Sequence, residues 1–236
     1  MSDSKGLRLV DRGAMEEGGT GRENAIYTRR FSTAEQTTRE LVWKTLTTQF
    51  FQRFFTENDT LVDVGAGDGL FIKHIKVKRR IAVDLSPHAL VLRDHGIEVV
   101  QVDATSFAAH VPANVDVVFM SNFLEHMQTK RIVLDVLEQC YRALRPGGKV
   151  IILQPNIRYV GPAYWDYIDH HVALTEWSLV EALEVTGFRV LKLIPRFLPY
   201  TVKSRVGRFS GLVSLYLKLP ILWRLFGKQT LVVAEK

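Results

Sequence analysis

Leu61-Val62-Asp63-Val64-Gly65-Ala66-Gly67-Asp68-Gly69 decides the fold. The stretch begins as a short apolar run, breaks into a turn with three glycines, and continues into Leu70-Phe71-Ile72. An apolar run that stops at a glycine turn before a helical pattern is the first strand, turn and helix of an α/β domain. Glycines at 65, 67 and 69 remove side chains where a ligand must lie against the backbone, and the free amides of the following helix face that ligand. The stretch therefore predicts a nucleotide-type cofactor site. A dinucleotide fingerprint spaces its glycines G-x-G-x-x-G and leaves a helix N-terminus for pyrophosphate. Here the third glycine comes one residue early, and Asp63 and Asp68 flank the turn. Two carboxylates repel a pyrophosphate and suit a cationic ligand.

Downstream, six more strands are legible. Arg80-Ile81-Ala82-Val83 ends in Asp84-Leu85-Ser86-Pro87. An acid at that strand end can accept both hydroxyls of a ribose, while Ser86-Pro87 can start the next helix. Ile97 to Val102 ends in Asp103-Ala104, where an acid can accept an adenine exocyclic amine. Val115 to Met120 is almost continuously apolar, as a central parallel strand should be, and runs into Ser121-Asn122-Phe123-Leu124-Glu125-His126. Ligands of open α/β sheets sit beyond the carboxyl ends of the strands, so this hexapeptide faces both cofactor and acceptor. A helix over Thr129 to Leu144 is closed by Arg145-Pro146-Gly147-Gly148 through C-cap chemistry. Lys149 to Leu153 is the fifth strand, followed by an aromatic and polar loop from Tyr159 to His171. A helix over Trp177 to Thr186, a strand over Phe188 to Ile194 and a last strand over Gln229 to Ala234 complete the order. Sequential βαβ units predict a parallel, doubly wound sheet.

Upstream of the glycine stretch, residues 1–30 are polar and rich in glycine and charge, which predicts a flexible leader before one domain over residues 31–236. Trp43, Leu46, Phe50 and Phe54 recur at helical spacing and read as core, on a helix that in folds of this kind commonly covers the cofactor cleft. The chain has 236 residues, a net charge of +6 and one cysteine, Cys140, so no intramolecular disulfide is available. A single thiol in a helical pattern reads as buried and structural, in a reducing compartment. The first residues lack the pattern of a signal peptide and no apolar run is long enough to span a bilayer, which predicts a cytoplasmic protein. Between Glu184 and Glu235 there is no acidic residue, while Arg189, Lys192, Arg196, Lys203, Arg205, Arg208, Lys218, Arg224 and Lys228 are all basic. A basic, aromatic insert at about 195–228 therefore points to an anionic partner. Its segment 209–226 reads as a peripheral contact with the inner membrane surface, or else as a dimer interface or a lid packed on the sheet.

Taken as an ordered set, Asp63-Val-Gly-Ala-Gly-Asp-Gly69, Asp84, Asp103-Ala104, Asp116-Val-Val-Phe, Leu144-Arg-Pro-Gly-Gly148 and Thr186-Gly-Phe188 resemble class I S-adenosylmethionine-dependent methyltransferases over roughly Val62 to Glu235. The resemblance implies a three-layer, Rossmann-like sheet of seven strands, with the last strand antiparallel and inserted between strands five and six. It implies cofactor contacts from Asp63, Gly65, Ala66, Gly67, Asp84, Leu85, Asp103, Ala104, Ser121 and Asn122. A narrower resemblance, carried by Ser121 to His126, Gln154 to Tyr159, Tyr164 to His170 and Phe197 to Tyr200, is to bacterial methyltransferases of polysaccharide and glycolipid clusters. It implies a small-molecule, sugar or lipid-linked acceptor, methylated at a hydroxyl. Deprotonating a hydroxyl needs a base, for which His170 and His126 are the candidates, with Asp169 and Glu125 to orient them. Glu125-His126 with a later histidine also resembles metal-dependent 2′-O-methyltransferases of small RNAs. Those carry a further glutamate where this chain has Asn122, so no metal is expected. Ubiquinone-pathway O-methyltransferases carry a similar Glu-His, so the pair does not identify a nucleic acid partner. A metal-assisted RNA 2′-O-methyltransferase stays as the enzymatic alternative. A cofactor-binding regulatory subunit is the non-enzymatic alternative.

Overall fold

Seven short runs of β-branched and large apolar residues pair into one sheet. They are β1 (Thr60–Val64), β2 (Arg79–Val83), β3 (Glu98–Val100), β4 (Val115–Ser121), β5 (Leu144–Pro155), β6 (Arg189–Leu198) and β7 (Gln229–Glu235), in the order β3-β2-β1-β4-β5-β7-β6. β7 alone runs antiparallel to its neighbours β5 and β6. The predicted α/β architecture, with the last strand reversed between the fifth and sixth, is the one observed. The computed structural model describes residues 33–200 and 210–236. The predicted leader over 1–30, and the part of the insert at 201–209, lie outside the described residues.

Strand periodicity assigns the two faces. Val62, Val64, Val118, Met120, Val150 and Ile152 pack with the inner side of α2 (Lys130–Ala143) and with α3 (Glu176–Val185). Leu61, Val117, Phe119, Ile151 and Leu153 face the opposite layer, which contains α1 (Thr33–Gln49). There the aromatic stripe is core, as expected: Phe50 and Phe51 are buried, and Phe71 stacks on Phe119 with ring centroids 3.7 Å apart. Cys140 is buried in α2, and burial raises its thiol pKa.

Two local expectations are corrected, and one is met. No α-helix follows the glycine turn: residues 65–78 cross from β1 to β2 through turns, with Lys73 N–H donating to Gly69 C=O at 3.0 Å. Phe71, Ile72 and Ile75 are nonetheless buried, so their helical spacing reports one face without a full helix. Residues Pro87–His95 form a 3-10 helix, capped as predicted by Ser86, whose side chain accepts from His88 N–H. Arg145-Pro146-Gly147-Gly148 is no helix cap. The helix ends at Ala143, Leu144 is already extended, and all four residues belong to β5. Arg145 instead donates to Asp116 Oδ1 at 2.7 Å, while Thr60 N–H donates to Oδ2 at 2.8 Å. Asp116 thus ties the amino-terminal ends of β1 and β4 together, on the edge opposite the strand ends that carry the candidate site.

Candidate functional site

The carboxyl ends of β1, β2, β4 and β5 meet along one edge of the sheet, and nearly every site residue expected from the sequence lies there. Gly65, Gly67 and Gly69 all have left-handed φ, of 71°, 51° and 68°. The ligand-clearance argument needs correction at two of them. A Cβ on Gly65 would lie 2.2 Å from Phe123 Cδ2, and one on Gly69 would lie 2.4 Å from Leu92 Cδ2. Those two glycines make room for the protein's own side chains. Gly67 is held differently: its N–H donates to Asp84 Oδ2 at 2.8 Å. Ser86 N–H donates to Asp84 Oδ1, also at 2.8 Å. Asp84 therefore pins the glycine turn to the end of β2 with one oxygen and shapes its own turn with the other. Each oxygen keeps a lone pair for a ligand hydroxyl.

Asp63 is buried in mid-strand, opposite Ala82 and Phe119. Burial, and then the neighbouring Asp84 charge, push its pKa well above the usual carboxylate range. A cation near this pair would be favoured by both carboxylates. Asp68 faces Arg39 of α1 at 3.8 Å, a pairing the sequence reading missed. Leu85 is exposed beside Asp84, Ala104 is half-buried, and Asp103 is exposed with Oδ1 accepting from the Thr105 amide at 2.8 Å and the Thr105 hydroxyl at 2.6 Å. That turn fixes the Asp103 carboxylate beyond β3.

The acceptor side is built by the chain leaving β4. Asn122 sits at φ 49°, a left-handed conformation uncommon outside glycine, and its side chain donates to Ser121 Oγ at 3.0 Å. The strained step turns the backbone so that Glu125 buries while His126 stays half-exposed. Glu125 is 1% exposed, and burial raises its pKa. Its Oε2 has no hydrogen-bond partner among the described residues, and neither has the buried amide of Gln154 at the end of β5. His126 Nδ1 lies 2.9 Å from the Asp169 backbone carbonyl. A carbonyl only accepts, so Nδ1 carries a proton, and in the neutral imidazole Nε2 holds the lone pair. Asp169 Oδ2 lies 3.4 Å from the same Nδ1, and Glu125 Oε1 lies 4.0 Å from Nε2. His170 is buried, stacked on Tyr167, edge-on to Tyr164, and 5.2 Å from the His126 ring centroid.

Residues 62–152 match the family described as a methyltransferase domain. Similar solved structures include an S-adenosylmethionine-dependent methyltransferase from Archaeoglobus fulgidus, 23% identical over 84% of this chain and 94% of that one, with a TM-score of 0.61. A second, from Mesorhizobium loti, is 19% identical over 79% and 96%, with a TM-score of 0.55. The cyclase SpnF is also similar, 18% identical over 95% of each chain, with a TM-score of 0.57. A search of curated proteins found no match. A cyclase among the neighbours means that the fold alone does not fix the reaction.

The fold brings all four proposed catalytic residues together: Glu125, His126, Asp169 and His170. Glu125, His126 and His170 place one ligand atom each within 4.8 Å of one another, so they can also hold a divalent cation. The sequence reading missed a buried network at the end of β5. Buried Asn156 donates to Glu176 Oε2 at 2.7 Å and to Thr230 Oγ1 at 2.9 Å, joining the loop after β5 to α3 and β7. The only sequence signal for it is a polar residue at a strand end, which is too common to single out.

Proposed function

We propose that the enzyme transfers the methyl group of S-adenosylmethionine to a hydroxyl of a small-molecule, sugar or lipid-linked acceptor. The cofactor reading is supported by the methyltransferase domain, by the neighbours' use of that cofactor, and by the fit of the site. S-adenosylmethionine supplies a methyl already activated on a sulfonium, so transfer is an in-line displacement. The protein's part is to hold, orient and deprotonate. Asp84 and Asp103 offer carboxylate oxygens to the ribose and adenine. Asp63 places buried negative charge next to the glycine turn, which suits a cationic group. Phe123 fills the space that Gly65 leaves.

The observation that carries the hydroxyl reading is the orientation of His126. With Nδ1–H committed to the Asp169 carbonyl, Nε2 is the atom that can take the acceptor's proton. His170, enclosed by Tyr164 and Tyr167, forms the adjacent wall. Trp165 is 55% exposed beside them, an indole face free to stack on the apolar face of a sugar ring. The test uses isotope-labelled S-adenosylmethionine and a cell extract. Labelled product carrying an O-methyl group is expected, and product methylated on nitrogen or carbon overturns the hydroxyl reading.

A second reading, metal-assisted transfer, is favoured by the three converging ligand atoms. Turnover that a chelator abolishes and magnesium, manganese or zinc restores selects it. Turnover indifferent to chelation selects the histidine base.

A further inference from the structure

The two helices between β6 and β7 break the usual pattern of a surface helix. α4 (Ser210–Lys218) turns Leu217 inward against the layer of α1, as expected. Its outer side is also apolar, because Leu212 and Leu215 are exposed, and Leu219 continues the same row. α5 (Pro220–Phe226) buries no residue fully, and Ile221, Leu225 and Phe226 are 58%, 61% and 58% exposed. A helix facing water carries polar residues on its outer stripe.

The pose is fixed from behind. Trp223 Nε1 donates to Tyr216 C=O at 2.8 Å, and Tyr216 O–H donates to Phe197 C=O at 2.5 Å. The Trp223 ring meets Phe197 and Phe50 edge-on. Arg196 donates to the carbonyls of Gly227 and Leu225, both at 2.9 Å. The apolar outer face is therefore displayed on a firmly seated hairpin.

We infer that this face rests on an anionic lipid bilayer. The charges at its margin are Lys218, Arg224 and Lys228, all exposed, and no acidic residue occurs between Glu184 and Glu235. Glu40 of α1, the layer beneath, is already taken by Lys73 and His74. Aliphatic and aromatic side chains flanked only by Lys and Arg match an interfacial segment, whose long basic stems reach up to anionic headgroups. A second copy of the chain fits less well, since a two-fold contact would bring together two faces that both carry Lys218 and Arg224, with no acidic residue between Glu184 and Glu235 to pair them.

The location gives the contact a use. Leu198 pairs with Gln229, which also pairs with Pro155, so the hairpin springs from the same sheet edge as the acceptor cluster. An acceptor arriving from the bilayer would enter beside it. That consequence rests on the methyl-transfer reading, whereas lipid binding is measured without turnover, so the two can fail separately.

The test is co-sedimentation of the full chain with vesicles of phosphatidylglycerol and phosphatidylcholine at low salt. Pelleting is expected with these vesicles, with loss of binding on pure phosphatidylcholine and at high salt. The double substitution Ile221→Glu/Phe226→Glu should weaken binding by about tenfold or more, because it removes two inserting side chains. Its melting temperature and S-adenosylmethionine affinity should stay at wild-type values. Three results overturn the inference: wild-type protein left in the supernatant, a double variant that pellets like wild type, or a wild-type dimer that the double substitution dissociates without any vesicle binding.

Discussion

Gly65→Ala is the sharpest probe of how the glycine turn works. Two costs are legible in the structure. At a φ of 71°, any residue with a Cβ occupies a left-handed conformation, at roughly 1–2 kcal/mol. The new Cβ would also sit 2.2, 2.7 and 2.9 Å from three ring atoms of Phe123. Those are overlaps, and forcing an extra carbon into a packed site costs about 1–3 kcal/mol. The sum is about 2–5 kcal/mol, read by urea unfolding of the purified protein. The two terms separate in the Phe123→Ala background. There the ring is gone and only the backbone term remains, so the cost of Gly65→Ala should fall to about 1–2 kcal/mol. If Gly65→Ala costs the same in both backgrounds, Phe123 is not what requires the glycine. The residue would then serve the ligand alone, as the sequence suggested.

Asp84→Ala removes two charge-assisted hydrogen bonds, from Gly67 and Ser86, and should lower stability by about 2–4 kcal/mol in urea. The same variant should show no S-adenosylmethionine binding by calorimetry. His126→Ala and His170→Ala should keep that binding and lose about 10²–10⁴-fold in turnover, and retention of turnover within a few-fold in both excludes a histidine base. Asp63 has a raised pKa when folded, so its neutral form stabilises the protein at low pH, and that contribution is lost as pH rises through the folded value. Asp63→Asn should therefore raise the melting temperature at pH 8 and leave it nearly unchanged at pH 4. Each kcal/mol corresponds to about 2–4 °C at this size. Equal effects at both pH values contradict the buried-charge account.

The sheet was legible because alternating apolar runs and turn residues constrain parallel strands strongly. The reversed β7 followed from family likeness, since nothing in Gln229 to Glu235 encodes strand direction. Helix type was less legible. Phe71, Ile72 and Ile75 have the spacing of one helical face, yet the short crossover into Arg79 is satisfied by turns. Pro87 with Ser86 signalled a helix start without distinguishing a 3-10 from an α-helix. At the site, strand-end acids could be named because topology puts them on one edge. Partners such as Phe123 for Gly65, Arg39 for Asp68 and Asn156 for Glu176 join residues far apart in sequence, and only packing reveals them.

The placement of β7 has a consequence for synthesis. It is the last strand in the sequence, yet it occupies an interior lane of the sheet. Until that strand is available, β5 and β6 lack the neighbour that lies between them, and each leaves an edge unpaired. Thr230, which accepts from Asn156 behind the acceptor loop, emerges only with that strand. The sheet edge that carries the candidate site is thus completed only when this late segment pairs between β5 and β6. Chaperone demand should concentrate in that interval.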